Sequence, residues 1–295
     1  MELKGVYPAM VTALTPDEEI DRAGMQRVVK YCLDAGVHGV VVLGSTGEFP
    51  AMTDAMRQSA IETTIEAVAG RVPVIIGCGD TSTKKTIAQV KAAKGTGAAA
   101  VLVALPYYYP LDQAGVYRHY AAVADASELP VVMYNFPQMT KIAISPDTLA
   151  RLAAHPMIIG VKDSAGDFIG MLRYLEATAG QNFAVMSGNP ALGVAAYIHG
   201  AKGGIYAGCS LVPKLCVDVY EAYIKGDMAS AVELQKRASL IPQMGSFGAN
   251  AAVIKLGLEK LGICGRTVSA PLGLAGGPDV EEKAFAWMRK LGLNV

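Results

Sequence analysis

The sequence predicts a closed (β/α)8 barrel, and three observations carry that expectation. Short apolar runs suited to strands recur about every 20–35 residues, the spacing of repeated strand–helix units. They begin near Tyr7, His38, Pro73, Ala98, Pro130, Met157, Asn182 and Lys202. Several, including Val40-Val41-Val42-Leu43 and Val101-Leu102-Val103-Ala104-Leu105, are apolar without alternation. Continuous apolar runs suit strands buried on both faces of a parallel sheet. Between them lie segments with helix starts: Thr53 with Asp54 caps a stretch reaching Ala69, and Ser145-Pro146-Asp147 opens another with proline in its first turn. Eight such repeats favour closure into a barrel over an open sheet.

At 295 residues the chain is long for one ordinary domain and typical of a barrel carrying an extra segment. The pattern changes after Lys225-Gly226-Asp227. From there only helix-like segments follow, at 228–243, 249–261 and 279–291, the last two separated by Pro271, Gly273 and Gly276-Gly277-Pro278. The expected division is therefore 1–226, a barrel with the active site, and 227–295, a C-terminal helical extension.

Composition narrows the function classes. Hydrophobic residues make up 52% and charged residues 18%, which predicts a large core. Lys+Arg and Asp+Glu are equal at 26 each, and no basic stripe with interleaved aromatics occurs. Nucleic acid and anionic membranes are thus excluded as expected partners. The five cysteines, Cys32, Cys78, Cys209, Cys216 and Cys264, are odd in number, widely spaced and form no CxxC pair. That suits reduced thiols in a cytoplasmic protein. Met1-Glu2-Leu3-Lys4-Gly5 lacks the features of a signal peptide. The uncharged stretch from Gln181 to Ala201 is interrupted by Ser187-Gly188-Asn189-Pro190, so it reads as strand, turn and helix rather than a membrane span.

In a barrel of this type the chemistry sits at the carboxyl ends of the strands. Lys162 ends the apolar run Met157-Ile158-Ile159-Gly160-Val161, a cation at the rim of an interior. Burial disfavours the ammonium and frees the amine to attack carbonyl carbon. The plainer alternative is a lysine paired with Asp163 and pointing to water. Other strand ends tip the balance. They carry Gly44-Ser45-Thr46-Gly47-Glu48, Pro106-Tyr107-Tyr108-Tyr109-Pro110, Tyr134-Asn135, Ser187-Gly188-Asn189 and Gly203-Gly204-Ile205-Tyr206. One amine, several phenols and two adjacent hydroxyls therefore face one mouth.

A chemical logic joins them. An amine that attacks a 2-oxo acid loses water and becomes an iminium, an electron sink for the bond beyond the adjacent carbon. A phenol can carry the proton. The hydroxyls and backbone N–H groups of Ser45-Thr46-Gly47 can hold a carboxylate. Each feature also has a plainer reading: turn hydroxyls satisfying local backbone, a tyrosine run in an interface, glycines serving tight packing. His38, His119, His155 and His199 are scattered without HExxH spacing, so no metal is expected. Gly77-Cys78-Gly79-Asp80 is too weak for a dinucleotide fingerprint.

GSTGE at 44–48, PYY at 106–108, YNFP at 134–137 and the lysine of GVKDSAGD at 160–167 resemble the dihydrodipicolinate synthase / N-acetylneuraminate lyase family. The similarity runs in order from Gly5-Val6-Tyr7-Pro8 into the helical tail. The resemblance implies a (β/α)8 barrel in which pyruvate forms a Schiff base with Lys162, with no cofactor beyond that covalent adduct. It implies Tyr134 as proton donor and acceptor, Thr46 as partner in a hydroxyl relay, and Tyr108 reaching in from a neighbouring subunit. Ser45 and Thr46 would bind the pyruvate carboxylate, and Gly188 and Ile205 would line the pyruvate site through backbone groups. It also implies a homotetramer built as a pair of tight dimers.

Departures from the family pattern narrow the second substrate. Met139 stands where the synthases carry an arginine for the carboxylate of their aldehyde partner. A thioether cannot make that bidentate contact. Pro190-Ala191 follows Asn189 where the sialic acid lyases carry an acidic pair. The 44–50 and 162–167 segments look closest to 4-hydroxy-2-oxoglutarate or 2-keto-3-deoxy sugar-acid aldolases, with Ser164 a hydrogen-bond partner for a substrate hydroxyl. The expectation is a class I aldolase that cleaves or forms a hydroxylated 2-oxo acid from pyruvate and an aldehyde. The alternatives are 4-hydroxy-tetrahydrodipicolinate synthase and a deoxy sugar-acid dehydratase. A non-catalytic 2-oxo-acid sensor would be marked by loss of the lysine or tyrosines, and both are present.

Overall fold

The computed structural model describes residues 1–277 and 279–295; Pro278, part of the expected break before the last helix, lies outside the described residues. Eight parallel strands form the centre, in the order β1-β8-β7-β6-β5-β4-β3-β2. They are β1 Gly5–Pro8, β2 Val40–Val42, β3 Val74–Cys78, β4 Ala100–Ala104, β5 Val131–Asn135, β6 Ile158–Asp163, β7 Ala184–Ser187 and β8 Gly203–Tyr206. The ring closes between β1 and β2, where Ala9 and Val41 form a parallel bridge and the Met10 N–H donates to Val41 O at 2.9 Å. The chain is therefore the expected barrel. Each strand lies within three residues of a run seen in the sequence.

Period-two alternation divides the core into two compartments. Tyr7, Val41, Ile75, Leu102, Val132, Met186 and Ile205 point into the barrel and pack together. Their strand neighbours, such as Val6, Val42, Ile76, Val101 and Met133, point outward and join a larger core against the helices. This explains why the strand segments lack alternation: both faces are apolar because both are covered.

The helices that cover the strands are α1 Arg22–Asp34, α2 Asp54–Val68, α3 Thr83–Ala92, α4 Gln113–Ala126, α5 Pro137–Thr140, α6 Pro146–Ala153, α7 Phe168–Ala177, α8 Gly193–Ile198 and α9 Pro213–Ile224. Their starts follow local chemistry. The Thr53 hydroxyl accepts from the Met56 N–H at the head of α2, and the Ser145 hydroxyl accepts from the Thr148 N–H at α6, with Pro146 in the first turn.

After α9 come α10 Met228–Ala238, α11 Asn250–Lys260 and α12 Val280–Lys290. One helix expected over 228–243 instead stops at Ala238, and 241–246 forms a 3-10 segment. Pro242 is the cause: it has no N–H to donate to the carbonyl of Ala238, and its ring crowds that carbonyl. Gly248 and Leu274 form an isolated antiparallel bridge that the helical reading of this segment did not include. Among the described residues no helix is long and apolar enough to cross a membrane.

The outer core holds one buried imidazole. His119 on α4 is 3% exposed; its Nδ1 lies 2.9 Å from Thr83 Oγ1, while Nε2 is buried without a partner among the described residues. Burial lowers its pKa from 6.5 to about 4, so the folded protein holds it neutral. Between those two values the unfolded chain binds more protons, so stability falls as pH falls through that window, by up to ~1.4 kcal/mol per unit. Urea midpoints of the wild type and His119→Gln at pH 7 and pH ~4.5 should show the smaller acid loss in the variant. Equal losses would mean that His119 does not contribute to the slope.

Candidate active site

The register of β5 against β6 pairs Val132 with Gly160 and Tyr134 with Lys162. Both members of the second pair therefore face the barrel interior, one turn of pleat from the carboxyl ends of their strands. Lys162 is 4% exposed and its Nζ sits 4.2 Å from the centroid of the Tyr134 ring. Among the described residues no carboxylate lies within ion-pair distance of that amine. The negative face of the aromatic ring stands where a counter-ion would otherwise be.

Asp163 does not serve the lysine. It points to the opposite face of β6, where its Oδ1 accepts from Asn135 Nδ2 at 2.8 Å and from the Ala165 N–H at 3.2 Å. Burial raises its carboxyl pKa above the ordinary value, while the Asn135 and Ala165 hydrogen bonds oppose that rise. The lysine paired with Asp163 at the water surface, one of the two sequence readings, is not what the chain builds.

Tyr134 is held from behind by a residue the sequence reading missed. The fully buried Tyr120 hydroxyl lies 3.0 Å from Val103 O and 3.3 Å from Tyr134 O, and accepts from the Tyr134 N–H at 3.3 Å. This phenol ties β4 to β5 at the position of Tyr134. Phe136 stacks on the Tyr134 ring at 5.6 Å between centroids. Nothing in the spacing of Tyr120 within α4 distinguishes it from an ordinary core tyrosine.

The hydroxyl pair sits on a tight 3-10 turn, Ser45–Gly47, that follows β2. Thr12 Oγ1 donates to Gly47 O at 2.8 Å and pins the turn to the segment after β1. Gly77 is required beside it, because a Cβ there would strike the Leu43 carbonyl. Thr46 is buried, and among the described residues neither the Ser45 nor the Thr46 hydroxyl is bonded to the protein. These are not hydroxyls spent on local backbone.

Gly188 and Ile205 complete the rim. The Gly188 N–H donates to Asp163 O at 2.7 Å, and a Cβ on Gly188 would collide with Ser164 Oγ, so glycine lets the ends of β6 and β7 close together. The Ser164 N–H donates to Asn135 O at 2.8 Å. Ile205 is fully buried on β8, opposite Tyr7. By strand direction Lys162, Tyr134, Ser164, Gly188 and the Ser45–Gly47 turn lie at the carboxyl end of the barrel, and Ile205 faces its interior.

Tyr108 is not brought to them within the chain. It is 76% exposed, with its ring edge-on to Tyr109 at 5.1 Å. Tyr107 turns inward instead, edge-on to Phe49 at 6.2 Å. Burial raises the Tyr107 phenol pKa, the Asp80 charge adds to the rise, and Arg57 opposes it. Met139 is 64% exposed on the short helix α5.

A second feature missed in the sequence stands behind the hydroxyl turn. Lys255 on α11 and Glu48 are both completely buried and 2.6 Å apart. The signal was present: Lys255 is the one charge in the run Ala251–Leu258. Among the described residues no cluster of three or more His, Cys, Asp or Glu side chains is arranged to hold a metal ion.

A buried strand-end amine of this kind can add to the carbonyl of a small acid, and the whole chain is similar to known proteins. Residues 2–282 match the dihydrodipicolinate synthetase family. A 4-hydroxy-tetrahydrodipicolinate synthase of Gluconacetobacter diazotrophicus is 35% identical over 269 residues, covering 91% of each chain. That of Jannaschia sp. is 36% identical over 294 residues, covering 98% of this chain and 99% of the relative. Among solved structures, dihydrodipicolinate synthase of Thermotoga maritima superposes with a TM-score of 0.94 at 30% identity and 99% coverage of both chains. YagE, a prophage protein of the same family from E. coli K12 solved with pyruvate, also gives 0.94, at 29% identity, covering 99% of this chain and 100% of its own. A barrel with a buried strand-end lysine, matched over nearly its whole length, belongs to the dihydrodipicolinate synthetase family of pyruvate-dependent carbon–carbon lyases.

Proposed function

We propose that this enzyme is a class I aldolase working through a Schiff base on Lys162. The observation that carries the reading is the buried amine, with no acid beside it and the Tyr134 ring against it. The amine adds to the ketone carbon of a 2-oxo acid, water leaves, and an iminium remains. In the cleavage direction Tyr134 removes the proton of the substrate's 4-hydroxyl. The bond between carbons 3 and 4 then breaks toward the iminium nitrogen, releasing an aldehyde and leaving an enamine. Tyr134 returns a proton to carbon 3, and water hydrolyses the new iminium to pyruvate and free Lys162.

The other residues take roles in this scheme. Ser45 and Thr46 hold the substrate carboxylate, Thr46 also relays protons with Tyr134, and the backbone of Gly188 and Ile205 lines the pyruvate site. Ser164 meets the substrate hydroxyl. Exposed Tyr108 completes the relay of a second copy in a homotetramer of paired dimers, which accounts for a large aromatic left in water by the single chain. No cofactor is needed beyond the lysine adduct. Five buried free thiols suit a cytoplasmic enzyme. Residues 1–226 act as the catalytic barrel and 227–295 as the extension that braces it.

Two second substrates compete. The names of the relatives favour 4-hydroxy-tetrahydrodipicolinate synthase, the condensing reading. Met139 favours the aldolase of hydroxylated 2-oxo acids, because a thioether offers a distant carboxylate no hydrogen-bond donor. The proposed reaction is the aldolase cleavage; loss of the hydroxyl instead of carbon–carbon cleavage would make a dehydratase on the same adduct.

Borohydride reduction in the presence of pyruvate, followed by peptide mass measurement, should mark Lys162. Lys162→Ala and Lys162→Arg should lose the adduct and turnover with an unchanged circular dichroism spectrum, since guanidinium cannot form the imine. An adduct on another lysine with activity retained would overturn the scheme.

Tyr134→Phe should keep pyruvate binding and lose roughly 10²–10⁴-fold in rate, the range of a general acid–base group. An unchanged rate would make Tyr134 a packing residue.

The wild type should condense pyruvate with aspartate semialdehyde poorly. Met139→Arg should improve carboxylate-bearing aldehydes by on the order of tenfold or more, leaving the pyruvate adduct unaltered. Efficient condensation by the wild type would restore the synthase reading, with Lys141 as the cation.

A further inference from the structure

Glu48 closes the 3-10 turn of Ser45–Gly47 in the left-handed region, φ 62° and ψ 30°, a conformation that a side chain other than glycine adopts only where its surroundings hold it. Its N–H donates to Ser45 O at 3.2 Å. Both carboxylate oxygens are occupied: Oε1 accepts from Lys255 Nζ at 2.6 Å and Oε2 from the Ser269 N–H at 2.6 Å. Lys255 Nζ also donates to Thr267 O at 2.6 Å. Both side chains are fully buried, so neither is available to substrate.

A buried ion pair is weak evidence for stability, because desolvating two charges offsets their attraction. What such a pair supplies is a fixed position. Here it joins α11, 207 residues downstream, and the 267–269 segment beyond it to the turn that carries the two hydroxyls. Thr12 holds the same turn through Gly47 O on its other side.

We propose that Glu48 and Lys255 are positioning residues: the C-terminal helices set the Ser45–Thr46 hydroxyls for the substrate carboxylate through this pair. The proposal rests on the reading of Ser45 and Thr46 as the carboxylate site. It explains why a carboxylate stands in a motif whose chemistry calls for donors: its work is done on the side away from the ligand.

The test uses the full chain, with Glu48→Gln, Lys255→Met and the double variant, all assayed well below their melting temperatures. Each single variant leaves a buried group unpaired and loses stability; the double variant removes both charges and recovers much of it. Under the positioning role the pyruvate KM stays raised by on the order of tenfold in the double variant although stability has returned, with kcat less affected. A double variant with wild-type KM and kcat would overturn the proposal. Hydrogen exchange on the wild type needs no variant: amides of Thr46, Gly47 and Glu48 should open together with α11. Free exchange of the turn while α11 stays protected would also overturn it. Failure of the wild type to trap pyruvate on Lys162 would instead remove the Schiff-base reading, and this proposal with it.

Discussion

The site depends on one constraint, the register of β5 against β6 in a barrel whose side chains alternate strictly. Tyr134 opposite Lys162 is an inward pair. A slip of one residue on β6 would place Asp163 in the interior and turn the lysine into the helix layer. Continuous apolar strands cannot by themselves prevent such a slip, because both faces are equally hydrophobic. Polar groups on the outer side do so. The Asn135–Asp163 hydrogen bond and the Ala165 N–H fix Asp163 outward and therefore Lys162 inward.

The same division of labour recurs around the mouth. Among the described residues the Ser45 and Thr46 hydroxyls have no protein partner, while backbone groups beside them are bonded. The Tyr120 hydroxyl bridges β4 and β5 beneath Tyr134. Thr12 and Glu48 take up the carbonyl and turn end next to Ser45 and Thr46. An unbonded hydroxyl keeps its hydrogen-bonding capacity, and its bonded neighbours keep it from relaxing into local contacts. The polar groups behind the mouth therefore bear on precision as much as on stability.

The buried Glu48–Lys255 pair shows how the segment after the barrel enters this scheme. α12 buries Ala284, Trp287 and Met288 and packs against α11, with Trp287 Nε1 donating to Leu240 O. α11 instead sends a fully buried cation to the turn behind the hydroxyls. Placing a charge there costs desolvation, and burial lowers the Lys255 pKa although Glu48 opposes the shift. The barrel and the later helices thus meet through buried polar contacts at the turn that carries the two hydroxyls.

The sequence by itself determined the barrel, because repeated apolar strands and capped helices have few ways to bury both faces. It also set Lys162, Tyr134 and the Ser45–Thr46 turn at strand ends, since the stop of an apolar run marks where a strand ends. Local chemistry was legible too, down to the Thr53 and Ser145 caps. Only the tertiary structure decided which way Asp163 points, that Tyr107 rather than Tyr108 turns inward, and that Tyr120 supports Tyr134. Pro242 was visible in the sequence, yet its effect on the helix after residue 227 needed the backbone. Lys255 was visible as a lone charge, but its partner lies 207 residues away. The physical reason is common to these cases: spacing along the chain encodes faces and ends of elements, whereas a contact between distant side chains exists only once packing has fixed both.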